Sequence, residues 1–181
     1  MSVLSATGLL DRSQADDYSN ALLDLLGSRD PVEVLREMPG ALRRVLDQVP
    51  ADRIWTPEAP GKWSTGMVFA HLSDSELVGA FRLRMILAHD RPALTSYDQD
   101  LWATRLHYDR VSPPESLERF SVLRKANLVL WARASDEELA RAGVHGERGE
   151  ESVERMRRLY AGHDLAHLRQ LERIRQVVAG D

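Results

Sequence analysis

His163 and His167 lie four residues apart in a long helical pattern, with Met156, Leu159, Tyr160, Leu171 and Ile174 on the same face. Residues at i and i+4 stack on one side of an α-helix, so both imidazoles point at one object. Their apolar company turns that face inward. Neutral imidazole is the commonest side-chain ligand for divalent transition metals, and a metal ion gives a buried histidine pair a reason to exist. Two nitrogens alone make a weak site, so a third ligand is needed.

A second helical pattern supplies it. Met67, Val68, His71, Asp74, Ser75, Val78, Phe81 and Met85 follow the i, i+3, i+4, i+7 rhythm of a buried face, with His71 in the middle. Three imidazoles from two helices cover one side of an ion and leave other positions to water or substrate, as catalytic sites do. The rival reading makes the three histidines hydrogen-bonded members of the core. Asp74, one turn beyond His71, is expected to serve as a base or to orient a ligand, with a solvated helix acid as its alternative. Asp164, about 100° around the helix from His163, is expected to form an interhelical hydrogen bond. Tyr97, Trp102 and Tyr108 in the long 89–111 connection are candidates for a substrate wall, and so is His145 beside Gly146.

The elements that must position these residues read as helices. Asp30-Pro31-Val32-Glu33 and Ser112-Pro113-Pro114-Glu115 each combine an N-cap, a proline in the first turn and a glutamate at N3. The pattern predicts helices over 13–26, 31–49, 64–88, 113–133 and 151–178, the second bent or interrupted at Pro39-Gly40. A short helix opens at Ser135 and is closed by Gly143. Another lies within 89–111, with Ser96 as N-cap and Gln99 at N3. No segment shows sustained strand alternation. The expected architecture is all-α: a four-helix bundle over about 31–178 with a helical N-terminal extension over about 1–30, together one domain spanning 1–181.

Composition narrows the function classes. A chain of 181 residues, 43% hydrophobic, suits one domain with a real core. Its net charge of −4, spread without a basic patch, argues against a nucleic-acid partner. With no cysteine present, thiolate nucleophiles and cysteine-based metal sites are excluded, leaving histidine, carboxylate and water as ligands. The Met1–Leu10 stretch lacks the pattern of a signal peptide, and no run is long enough for a membrane span. A cytoplasmic protein acting on a small-molecule substrate is expected, with a homodimer through an apolar bundle face compatible with the pattern.

The residues that carry the chemistry also carry a likeness. Pro60-Gly61-Lys62-Trp63-Ser64, His71-Leu72-Ser73-Asp74-Ser75-Glu76 and Tyr97-Asp98-Gln99-Asp100-Leu101-Trp102-Ala103 are followed by Gly143-Val144-His145, Glu147-Arg148-Gly149 and Ala161-Gly162-His163-Asp164-Leu165-Ala166-His167-Leu168-Arg169-Gln170. In this order and spacing the chain resembles the DinB superfamily, with its DinB-like and YfiT-like metal-dependent hydrolases. The resemblance implies a DinB-like four-helix bundle holding one divalent metal (nickel, zinc, iron or manganese) through His71, His163 and His167. It also implies two chemistries for the site, hydrolysis or transfer of a low-molecular-weight thiol such as bacillithiol or mycothiol. The alternative from another class is a non-catalytic metal- or ligand-binding bundle with a stress-related or structural role.

Overall fold

The computed structural model describes residues 10–179. The first nine residues of the expected N-terminal extension, and nearly all of the Met1–Leu10 stretch, lie outside them. The chain runs α1 (Arg12–Leu26), α2 (Pro31–Gln48), α3 (Thr65–Ala88), β1 (Ala93–Leu94), α4 (Gln99–Arg105), α5 (Pro113–Arg133), α6 (Asp136–Ala140), β2 (Ala142–His145), β3 (Gly149–Ser152) and α7 (Val153–Ala179). Helices α2, α3, α5 and α7 form a four-helix bundle, in which α3 packs on α5 and α7 while α2 packs on the same two. Helix α1 lies along α7.

The helix starts follow local chemistry. Asp30 accepts hydrogen bonds from the backbone N–H groups of Val32 and Glu33 at the head of α2. Ser64 and Ser112 cap α3 and α5 in the same way, and Ser135 with Glu138 closes a capping box on α6. One cap had no expectation and another differs from it. Helix α1 begins at an Asp11–Gln14 capping box, and α4 is capped by Asp98 rather than Ser96. Asp is as good an N-cap as Ser, and Asp98 reaches two amides, Asp100 N–H and Leu101 N–H.

Helix α2 continues through Pro39 without interruption. A proline inside a helix cannot donate to the carbonyl four residues back, which here is Leu35 O. The Arg124 guanidinium donates to that carbonyl at 3.0 Å instead.

One part of the core joins Leu42, Val45, Phe69, Leu72, Phe120 and Ile174 from all four bundle helices. Another joins Leu35, Leu83, Ile86, Trp131 and Met156 near the sheet end. Helix α3, packed on two neighbours, is buried around most of its circumference. Phe81, expected in its buried face, is 63% exposed. It sits about 80° round the helix from His71, at the margin of the stripe that the neighbours cover.

Beside the bundle lies a small sheet, in which β1 pairs parallel to β2 and β2 antiparallel to β3. Strands of two to four residues are too short to display alternation, so the sequence carries no signal for them. Gly143, expected to end the short helix, lies inside β2. The parallel register sets Leu94 opposite His145, which ties the loop after α3 to the hairpin before α7.

Candidate metal centre

His71 projects from the middle of α3, and His163 and His167 project from α7. The Nε2 atoms of His71 and His163 are 3.2 Å apart, and those of His163 and His167 are 3.1 Å apart. One ligand nitrogen from each ring lies within 4.8 Å of the others. With metal–nitrogen bonds of about 2.0–2.1 Å, two imidazoles on one ion stand about 2.9 Å apart at a right angle and about 3.4 Å at a tetrahedral angle. The two short separations fall between those limits, so the donor set fits a divalent cation.

The ring protons are placed to match. His167 Nδ1–H donates to Gln170 Oε1 at 2.8 Å, one turn along α7, which leaves the Nε2 lone pair facing the other rings. His71 Nδ1 is buried with no partner. Loss of hydration keeps all three rings neutral, the form that binds metal. It pushes His71 and His163 well below the usual imidazole range, reinforced in both by the neighbouring rings. The same loss, opposed by the Gln170 hydrogen bond, brings His167 down to about 4. His71 is buried, while His163 and His167 keep partial exposure.

His71 and His163 open onto a cavity of about 120 Å³. Ala15, Tyr18, Ser19 and Leu22 of α1 form one wall, so the N-terminal helix is part of the site. Its approach is very close: a Cβ on Gly162, the residue before His163, would stand 2.2 Å from Leu22 O. Only glycine permits that contact. The lining also takes in Ser75 and Arg82 of α3, Leu159 and Tyr160 of α7, and Ser96, Tyr97, His145, Glu147 and Arg148 from the segments between them.

Of the expected substrate-wall residues, Tyr97 and His145 line this cavity, whereas Trp102 and Tyr108 do not. Trp102 packs on the Tyr97 ring, centroid to centroid 4.4 Å, and so backs the wall. Tyr108 is buried in a core cluster with Ala70 and Ala103. Its hydroxyl donates to Asp74 Oδ2 at 2.7 Å. Asp74 is thus engaged by a tyrosine away from the cavity lining, and the base role expected for it has no geometric support. Asp164 does make an interhelical contact: it forms a bidentate ion pair with Arg124 of α5 at 2.5 and 3.2 Å.

Arg82 was missed by the sequence reading, although a signal existed. It follows His71 by eleven residues, which returns it to within about 20° of the same helix direction. Tyr18 and Ser19 carried no such signal, because nothing local says which helix α1 will cover.

The family and the fold are shared with known proteins. The family model described as the DinB superfamily matches residues 35–171. The chain is 26% identical over 146 residues to the Bacillus subtilis protein named "Putative metal-dependent hydrolase YfiT", covering 78% of this chain and 82% of that protein. It is 27% identical over 138 residues to "Putative metal-dependent hydrolase OB0782" of Oceanobacillus iheyensis, covering 76% and 79%. The solved structure of YfiT, described as having an unusual four-helix bundle topology, superposes with a TM-score of 0.75 at 22% identity, over 92% of this chain and 88% of that one.

Proposed function

This chain belongs to the DinB superfamily, and from that premise we propose that it is a metal-dependent hydrolase of a small-molecule substrate. His71, His163 and His167 would hold one divalent cation. The observation that carries this reading is the convergence of three neutral imidazoles, two of them opening onto a cavity. The names of the relatives support the same class.

A divalent ion bound there would supply Lewis acidity and would lower the pKa of a water bound to it toward neutrality. The protein's own groups do the rest. Gln170 holds the His167 ring in the tautomer that presents Nε2. Helix α1 shields the site from bulk solvent by packing across α7 at Gly162. Tyr97 and Tyr160 supply aromatic wall on which a substrate's carbon skeleton rests.

The test starts from metal content. Full-length protein purified after growth with supplemented nickel and zinc is expected to carry about one metal per chain, and His163→Ala to carry far less. Absence of stoichiometric metal from the wild type overturns the proposal. Metal-loaded protein is then offered ester and amide panels, with and without an added low-molecular-weight thiol. Turnover without thiol supports hydrolysis. Turnover that requires it reassigns the chain to thiol transfer, and metal without turnover reassigns it to a non-catalytic bundle.

A further inference from the structure

Three cavity-lining side chains away from the metal ligands each carry a buried polar atom with no hydrogen-bond partner: Arg82 Nε, Ser96 Oγ and His145 Nε2. They come from α3, the loop after β1 and the end of β2. Two contacts bring their segments together. An Arg82 Nη atom donates to Thr95 O, next to Ser96. A Cβ on Gly146, next to His145, would stand 3.0 Å from Ser96 Oγ. Arg82 and His145 are 5% and 2% exposed. Leaving a buried donor unmatched is costly, so three in one wall ask for a ligand.

Their chemistry has one sign. The His145 Nδ1 atom accepts from the backbone N–H groups of Glu147 and Arg148 at 3.2 and 3.3 Å. Its proton therefore sits on Nε2, which becomes a donor. Arg82 Nε–H is a charged donor, and the Ser96 hydroxyl can donate. The remaining charges on the wall limit the ligand. Arg148 is neutralised by bidentate contact with buried Glu151, and Glu147 contributes a carboxylate of its own. Arg82, by contrast, has no ion-pair partner among the described residues, so its guanidinium suits a single carboxylate, while the Glu147 carboxylate on the same wall disfavours a phosphate dianion.

We infer that Arg82, Ser96 and His145 form a recognition subsite for the carboxylate of a substrate whose reacting group lies at the three-histidine centre. This inference rests on the hydrolase reading and narrows its substrate to a carboxylic acid. Eleven residues of helix, about 16 Å of backbone rise, separate His71 from Arg82, and the long Arg82 side chain slants back toward His71, so both line one cavity.

The test uses chelator-treated full-length protein at neutral pH, so that no metal competes for the carboxylate, with binding read by calorimetry. Hexanoate, hexanamide and inorganic phosphate are the probes. Hexanoate is expected to bind about tenfold or more tighter than hexanamide, and Arg82→Gln to abolish that preference. Ser96→Ala is expected to weaken hexanoate by about threefold or more. Ser96 Oγ has no partner to lose, so this variant decides the matter if Arg82→Gln does not fold. Equal binding of acid and amide, wild-type affinity in Ser96→Ala, or phosphate bound above hexanoate each overturns the assignment. Metal content, measured separately, keeps the two proposals apart: failure here with metal bound leaves the hydrolase reading intact.

Discussion

At the scale of single residues, the position of one proton on each imidazole governs whether the site works. His167 has its proton held on Nδ1 by Gln170, so its Nε2 is committed to the cluster. His71 lacks such a partner on Nδ1, which leaves Gln170 to control the tautomer of its neighbour His167. Replacing Gln170 with Ala is expected to weaken metal affinity by about 10–100-fold, the usual effect of removing a ligand's hydrogen-bond partner. Competition against a chromophoric chelator measures it, and unchanged affinity would show that packing alone orients the ring. Asp74 teaches the complementary lesson. One turn from a ligand is close in sequence and near in space, yet its carboxylate is turned to Tyr108. Helical spacing placed it beside the site without deciding which way its oxygens face.

At the scale of elements, the ligand-bearing helices are locked by a buried ion network. Arg124 of α5 pairs with Glu76 of α3 at 2.8 Å and with Asp164 of α7 at 2.5 Å, and Asn127 donates to the other Glu76 oxygen at 2.7 Å. Burial pushes Asp164 up to about 6, against the pull of the Arg124 guanidinium. The network therefore stands next to His163 and fixes the rotation of α7 relative to α3. It also satisfies the carbonyl that Pro39 leaves open in α2. Arg124→Met is expected to cost about 3–5 kcal/mol, because two carboxylates would stay buried without a counter-charge. Urea denaturation checks this, and a loss below about 1 kcal/mol would mean that water reaches the pair. Adding Glu76→Gln and Asp164→Asn to Arg124→Met is expected to recover much of the stability, since the unpaired charges are then gone.

At the scale of the whole molecule, buried histidines make stability depend on pH. His145 is brought down to about 3 by loss of hydration, reinforced by Arg148 and Arg82. The unfolded chain binds that proton near pH 6.5 while the folded chain does not, so stability is full above about 6.5 and falls as the pH drops toward 3. Metal-free wild type is expected to lose up to ~1.4 kcal/mol per pH unit relative to His145→Asn across pH 6 to 4.5, the slope of one proton. Asn keeps an acceptor for the hairpin amides, so the comparison isolates the titration. Parallel pH profiles for the two proteins would contradict it. Among the described residues, no helix is long and apolar enough to cross a membrane.

What the chain determines by itself is what helical periodicity and capping chemistry encode within a turn or two. These include the helix starts at Asp30, Ser112 and Ser135, the shared face of His163 and His167, and the inward position of His71. The eleven-residue spacing that puts Arg82 on the His71 face belongs to the same local code. Tertiary structure alone decided what depends on contacts between distant segments. It set α1 against α7 at Gly162, assembled three strands too short to signal themselves, and brought Ser96 and His145 beside Arg82. Side-chain direction along a helix follows from backbone geometry, but the meeting of two helices depends on how many surfaces pack at once, and that sum is not written in any one stretch of residues.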